Sequence, residues 1–116
     1  MSKIAICSTG SESTSLMDGR MGRCAYFMIY DTDKGQFSAL ANTGKESAHG
    51  AGTGSVQELL KNDVGTVVAS RVGPKAFSAM QQAGVKTFAC PEGTTVEAAL
   101  KKLVDNELQE VNSPSH

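Results

Sequence analysis

A strand–helix–strand unit between residues 65 and 89 decides the class of fold that this chain can adopt. Residues 65–70 (GTVVAS) and 85–89 (VKTFA) are short runs rich in apolar and β-branched residues, as strands of a sheet require. Between them, Pro74 fits the first turn of a helix that Gly84 ends. Two strands joined in this way lie parallel through a right-handed crossover. The unit therefore predicts an α/β domain.

The first forty residues predict three more strands. Residues 3–7 (KIAIC) form an apolar run that a Ser/Gly-rich segment ends, as expected of a buried strand. Residues 24–31 (CAYFMIYD) and 36–41 (QFSALA) flank the turn sequence TDKG, so they predict an antiparallel hairpin. If the second strand lies antiparallel beside the first, its start at Cys24 is at the edge of the sheet where the first strand ends, at Cys7.

Two further helices are predicted from patterns at their starts. Ser55 and Glu58 have the spacing of a capping box, which predicts a helix that runs to about Asn62. Thr94 and Glu97 repeat the pattern before a run with one apolar helical face. The whole order is β-β-β-α-β-α-β-α, which predicts a single α/β domain over residues 1–106 and a flexible C-terminal tail over residues 107–116.

Composition excludes several classes of function. The net charge of −1 argues against non-specific nucleic-acid binding, which needs a basic face. No apolar run approaches the roughly 18 residues of a membrane span, and the N-terminus has no cleavage signature. We therefore expect a cytoplasmic protein with no membrane or nucleic-acid partner, which is a monomer or a weak oligomer.

The three cysteines support neither a disulfide framework nor a tetrahedral zinc site, because their number is odd and no C-x-x-C spacing occurs. Cys7 is expected to point into the core at a strand end. Cys24 and Cys90 border loops, where they could be soft metal ligands, reactive thiols or packing residues.

Four loops are expected to meet at the carboxyl ends of the parallel strands, which is where open α/β sheets bind ligands. Together they hold every arginine, Cys90 and His49, and the other two cysteines, Cys7 and Cys24, flank the first loop. These loops are residues 8–23, 42–54, 70–74 and 90–94, and their arginines are Arg20, Arg23 and Arg71.

The arginines and glycines of these loops suggest an anionic ligand. Guanidinium groups present a planar fork of donors that suits anions with several acceptor atoms. The glycine-rich HGAGTGS of residues 49–55 could add backbone N–H groups at a helix N-terminus. The alternatives are arginines that cap helices or pair with Asp18 and Glu12, and a glycine segment that is only a turn. The segment lacks the Gly-Lys-Ser/Thr ending of a phosphate loop, which disfavours nucleotide binding.

Catalysis has little support in the sequence. Residues 3–7 and 65–70, the expected central strands, contain no carboxylate of the kind that a two-metal nuclease needs. The Ser-rich loop has no nucleophile-elbow signature, and the only obvious base for it is His49 in the glycine-rich loop. We therefore expect a protein that is not an enzyme.

Several of these motifs resemble the dinitrogenase iron–molybdenum cofactor biosynthesis family, which includes NifX, NifY and the C-terminal part of NifB. They are DGRMGRCAYFMIYD at residues 18–31, GAG at 50–52, GP at 73–74 and GV at 84–85. The resemblance spans about residues 3–103. It implies a ribonuclease H-like, three-layer α/β/α fold with a five-stranded mixed sheet whose second strand is antiparallel.

The resemblance also implies a ligand. Family members bind or carry molybdenum- or iron-containing metal–sulfur clusters, and the small stand-alone members include orange proteins, which hold a molybdenum–copper sulfide cluster and are associated with ParA/MinD-type ATPases. Such a cluster is a polyanion, which matches the donors described above. The residues expected to bind it are Arg20, Gly22, Arg23, Cys24, His49, Gly50, Gly52, Arg71 and Gly73. The resemblance does not identify any residue that ligates metal directly.

These observations favour a non-catalytic carrier of a molybdenum-containing cluster, of the molybdenum–copper or iron–molybdenum sulfide type. Two alternatives remain open. One is a cofactor-free scaffold or regulatory protein that binds a ParA/MinD-type ATPase. The other is a small enzyme that acts on a phosphorylated or carboxylated metabolite, with His49 as its essential residue.

Overall fold

A six-stranded mixed sheet forms the centre of the fold in the computed structural model, which describes residues 3–18, 24–42 and 51–112. No helix in these ranges has the length and apolar character needed to cross a membrane. The elements, in chain order, are β1 (Lys3–Ser8), β2 (Tyr26–Asp31), β3 (Gln36–Ala41), α1 (Ala51–Lys61), β4 (Val64–Ala69), α2 (Pro74–Ala83), β5 (Lys86–Ala89), α3 (Val96–Val104) and β6 (Gln109–Glu110).

The strand order is β3-β2-β1-β4-β5-β6. β4 lies parallel to both β1 and β5, whereas β2 is antiparallel to β1 and to β3. The α/β class is confirmed, and so is the antiparallel second strand. The α2 boundaries also agree with the sequence, because Pro74 stands at the helix start and Gly84 ends the helix in the left-handed region, at φ 77°.

The sheet has one strand more than the five predicted. β6 lies within residues 107–116, the segment predicted as a tail, and it pairs antiparallel with β5 through Phe88 opposite Glu110. The Val111 N–H extends this edge by donating to the Thr87 carbonyl at 2.8 Å. Both residues of β6 are exposed and polar, so no apolar alternation marks the strand in the sequence. Main-chain pairing with β5 defines it.

The sheet separates two hydrophobic clusters. Alternate residues of β1 illustrate the division, because Ala5 and Cys7 belong to one cluster and Ile6 to the other. The first cluster includes residues of α1 and α2, and the second includes residues of α3. Two helices therefore cover one face and one helix covers the other, as a layered α/β/α arrangement requires.

Both predicted capping boxes are wrong. α1 begins at Ala51, so Ser55 lies inside the helix, fully buried, rather than at its start. The glycines that precede Ser55 favour a loop on propensity alone, but tertiary packing overrides that weak preference. α3 is capped by Thr95, one residue after Thr94, and its hydroxyl accepts a hydrogen bond from the Ala98 N–H.

Candidate functional site

The ends of the strands meet at one edge of the sheet, as predicted. Ser8 at the end of β1 pairs with Tyr26 at the start of β2, which in turn pairs with Ala41 at the end of β3. Ala69 and Ala89, the last residues of β4 and β5, are also paired. All four predicted loops therefore leave from this edge, which we call the carboxyl edge.

The first loop is tied to the rest of the carboxyl edge by its backbone. The Thr9 N–H donates to the Leu16 carbonyl at 3.0 Å, which folds the loop back on itself. The Met17 N–H donates to the Thr94 carbonyl at 2.8 Å, and the Asp18 N–H donates to the Cys7 carbonyl at 3.0 Å. Asp18 is thus held at the end of β1, immediately before the arginine-containing segment.

The same loop occupies the N-terminus of α3. The Val96 and Glu97 N–H groups donate to the carbonyls of Ser15 and Ser13, each at 2.9 Å, while Thr95 accepts from the third amide. These are the groups that an anion would otherwise use at a helix start. The N-terminus of α3 is therefore satisfied by the protein itself.

The N-terminus of α2 differs from that of α3. Its N-cap is Gly73, which has no side chain to accept from the helix amides, and its first turn contains no acidic residue. Lys75 in that turn is exposed. Because the N-terminal end of a helix carries a partial positive charge, this part of the carboxyl edge favours anions.

Arg71 lies just before α2 and pairs with Glu92, with Nη2 and Oε1 3.6 Å apart. This partner is neither Asp18 nor Glu12, the two that the sequence suggested. Both side chains are more than half exposed. An exposed ion pair of this kind contributes about 0–1 kcal/mol, so a multivalent anion could replace Glu92 at little cost.

Gly73 is not required by the local backbone. Its φ of −70° and ψ of 167° are accessible to any residue. A Cβ built on Gly73 meets no atom of the described residues within 4 Å. The absence of a side chain therefore leaves open space in front of the α2 N-terminus, which is the kind of space that close approach of a ligand to the backbone uses.

A buried polar network, which sequence reasoning missed, holds the start of the second strand. The Asn42 amide nitrogen donates to the Cys24 carbonyl at 2.9 Å, and the Ser55 hydroxyl donates to the Asn42 amide oxygen at 2.8 Å. All three residues are at most 2% exposed. Asn42 does follow directly after an alternating strand, which is a signal for a residue at the sheet edge, but no sequence pattern indicates its partners.

The Cys24 side chain is fully buried, in the same hydrophobic cluster as Cys7. The pKa of Cys7 is raised well above its ordinary value by the hydrogen bond to Cys24, by burial, and by the nearby charges of Cys24 and Asp18. The expectation that Cys7 is a core residue is confirmed. Cys90 is also buried, but it belongs to the cluster on the opposite face of the sheet.

Of the predicted ligand-binding residues, three lie at the carboxyl edge within the described ranges: Cys24, Arg71 and Gly73. Gly52 lies in the first turn of α1 rather than in a loop. The others fall outside the described residues, and their predicted role stays a prediction; they are Arg20, Gly22, Arg23, His49 and Gly50. No group of three or more His, Cys, Asp or Glu side chains in the described ranges could hold a metal ion.

The opposite edge of the sheet has the wrong charge for an anion. A groove of about 650 Å³ is present there, and Asp31, Asp33 and Asp63 line it together with Lys3. Three carboxylates against one ammonium group repel a polyanion. The carboxyl edge is therefore the better candidate.

The fold and the carboxyl edge together define a small α/β protein whose loops converge at the carboxyl ends of its parallel strands. The chain belongs to the dinitrogenase iron–molybdenum cofactor family, whose model matches residues 2–106. The resemblance noted from the motifs is thereby confirmed.

Solved structures support this membership. The apo form of the orange protein from Desulfovibrio gigas superimposes with a TM-score of 0.93 at 33% identity, over 100% of this chain and 98% of that one. A NifB-like protein from Thermotoga gives a TM-score of 0.87 at 35% identity, with the same coverage. An uncharacterized protein of Methanocaldococcus jannaschii is 28% identical over 91 residues, which is 76% of each chain.

Proposed function

We propose that this protein binds and carries an anionic molybdenum-containing metal–sulfur cluster at its carboxyl edge, without catalysing a reaction. The cluster is cargo rather than a resident cofactor. The observation that carries the proposal is the α2 N-terminus, where Gly73 leaves open space and Arg71 places an exposed guanidinium group beside it. The loop that contains Arg20 and Arg23 leaves from the same edge.

The chemistry of such a cluster suits these groups. Its sulfide edges carry negative charge, which guanidinium forks and backbone N–H groups offset. The exposed pairing of Arg71 with Glu92 leaves its remaining N–H donors available to a ligand. Each group binds the outside of the cluster, so binding needs no protein ligand on the metal.

Relatives support the metal and the fold. The orange protein of Desulfovibrio gigas is 33% identical to this protein in an alignment that covers 100% of this chain. The family resemblance associates orange proteins with a molybdenum–copper sulfide cluster. We therefore favour the molybdenum–copper type over the iron–molybdenum type. We further propose a ribonuclease H-like sheet, with β6 as an addition to its five strands.

Gly73 provides a test of the open space at α2. Gly73→Ser should leave the free energy of unfolding unchanged or raise it by a few tenths of a kcal/mol, since serine is a good N-cap residue. Binding of tetrathiomolybdate should nevertheless weaken by roughly tenfold, or about 1.4 kcal/mol, because the new side chain occupies the ligand's space. Urea unfolding and visible-absorption titration measure the two effects. Unchanged affinity would show that the ligand does not approach Gly73.

The arginine segment is tested by a charge-matched pair of variants. Arg20→Ala/Arg23→Ala should weaken binding of tetrathiomolybdate by at least about tenfold, since each guanidinium removed takes away charge-assisted hydrogen bonds. Lys61→Ala/Lys101→Ala removes the same net charge from exposed positions in α1 and α3. This control should lose much less affinity.

The outcome also separates the proposal from its alternatives. Equal losses in the two double variants would reduce the effect to net charge and remove the case for this site. A protein that is colourless and metal-free when purified anaerobically from its native host, and that binds no tetrathiomolybdate, would favour the cofactor-free scaffold for a ParA/MinD-type ATPase. Turnover of a phosphorylated or carboxylated metabolite that His49→Ala abolishes would favour the enzyme.

A further inference from the structure

β3 forms an open edge of the sheet and lacks the features that normally protect such an edge. It is the outermost strand in the part of the chain that the structure describes, and it pairs with β2 in unbroken register over its whole length. Its sequence, QFSALA, contains no charged residue and no proline. Natural proteins protect exposed strands with charges, prolines, bulges or very short length, because unpaired main-chain groups attract other strands. β3 is therefore suited to pairing with another strand.

The opposite edge of the same sheet has this protection. β6 has two residues, and one of them is the exposed, charged Glu110. So short a strand offers few main-chain groups to a partner, and the carboxylate opposes close approach of a second strand. Of the two edges, β3 is the better candidate for an interaction surface.

One hydrogen bond identifies the main-chain groups that β3 directs outward. The Asn42 N–H, just after the end of β3, donates to the Ala25 carbonyl at 3.0 Å. In an antiparallel ladder, opposed residues alternate between hydrogen-bonded and non-hydrogen-bonded pairs. Every second residue of β3 therefore bonds to β2, whereas Phe37, Ala39 and Ala41 direct both their N–H and their C=O groups away from it. These groups form the outer edge.

We propose that β3 pairs antiparallel with β3 of a second copy of this chain, which joins the two sheets across a two-fold axis. An uncharged strand presents no like charges to its own copy, and two identical antiparallel strands form a closed dimer rather than a filament. The register that pairs all three outward residues with one another places Ala39 on the axis, opposite its own counterpart. The half-buried Phe37 then faces the exposed, small Ala41 of the second copy, so the ring has room beside it.

This pairing keeps both carboxyl edges accessible. β3 ends at the carboxyl edge, where Ala41 pairs with Tyr26. Because the second copy of β3 runs in the opposite direction, the two carboxyl edges lie at opposite ends of the joined sheet. Each copy can then take up a ligand independently of the other. The interface has few residues, so it belongs to the small and transient class.

The test places charges at Ala39, because this residue lies opposite its own counterpart. Sedimentation of the purified, metal-free chain between about 10 µM and about 1 mM should show the average mass rise from one chain towards two, as expected of a weak interface. Ala39→Lys and Ala39→Glu should each weaken self-association by at least about tenfold, since like charges meet on the axis. A mixture of the two variants should regain it, because opposite charges then meet. Gln109→Lys, at an exposed position of β6, is the control and should associate like wild type.

Amide exchange of the wild-type chain, followed by NMR, needs no variant and decides the question if a variant fails to fold by circular dichroism. As the protein concentration rises, the N–H groups of Phe37, Ala39 and Ala41 should become protected. Those of Ser38 and Leu40 should be protected at every concentration, because they already bond to β2. Docking through a helix would not produce this alternation.

Several results would overturn the proposal. They are a single-chain mass at every concentration, unchanged association of both Ala39 variants, a mixture that does not regain association, and protection without the alternation. The experiments contain neither molybdenum nor sulfide, and Arg20→Ala/Arg23→Ala should associate like wild type. This proposal and the cluster-binding proposal therefore fail independently.

Discussion

Replacing Phe27 by alanine should lower the free energy of unfolding by about 3–5 kcal/mol, which is a large part of the stability of a domain of this size. Phe27 is fully buried and is the largest side chain in that state among the described residues. It projects from β2 into the cluster that α1 and α2 cover. The loss combines the transfer energy of the ring with the cavity left between sheet and helices.

Phe37→Ala is the matched control for Phe27. Phe37 lies on the neighbouring strand β3, is partly exposed, and packs against the Tyr30 ring with their centroids 5.0 Å apart. Because part of its surface is already in water, its removal should cost clearly less, about 1–2 kcal/mol. Urea unfolding followed by circular dichroism measures both variants. A Phe37 cost equal to or above that of Phe27 would contradict the expected difference between a fully buried ring and a partly exposed one.

Asn42→Ala should cost about 2–4 kcal/mol, the second-largest effect that we expect. The substitution leaves the Cys24 carbonyl and the Ser55 hydroxyl without these buried partners, and each unsatisfied group costs about 1–3 kcal/mol. Asn62→Ala is the control, because Asn62 also donates from its amide to a carbonyl, that of Glu58, but in a half-buried position at the end of α1. Its cost should stay near 1 kcal/mol.

A double-mutant cycle with Ser55→Ala refines the Asn42 experiment. If the two side chains act as one network, the double variant should lose less stability than the sum of the single variants, with a coupling of about 0.5–3 kcal/mol. Equilibrium unfolding of the four proteins gives this coupling energy. Additive losses would mean that Asn42 stabilises the fold through Cys24 alone.

The parts of the fold that depend on local chemistry were predictable from the sequence. Pro74 and Gly84 mark the two ends of α2, because proline fits a helix start and glycine the left-handed residue after a helix. The alternation of apolar and polar residues in β3 also predicted the bounds of that strand, Gln36–Ala41. The convergence of the loops followed from the strand order, since parallel strands end at a common edge.

The parts that depend on contacts between distant residues were not predictable. Ser55 has the sequence pattern of a cap, but burial against Asn42 places it inside α1. Arg71 pairs with an acidic residue, as the sequence suggested for the arginines, but the partner is Glu92, which lies in a different loop. β6 has no side-chain pattern at all. In each case a tertiary contact decides, and a single sequence does not contain that information in readable form.

The hydrogen bonds between the first loop and the N-terminus of α3 affect the order in which the protein folds. Ser13 and Ser15, near the beginning of the chain, accept hydrogen bonds from Val96 and Glu97, near its end. Contacts between residues so far apart in sequence form late in folding, because closing the intervening chain has an entropic cost that precedes any stabilisation from the contacts. We therefore expect the carboxyl edge to mature only when the last helix docks, so that a nascent or truncated chain without α3 has no completed binding edge.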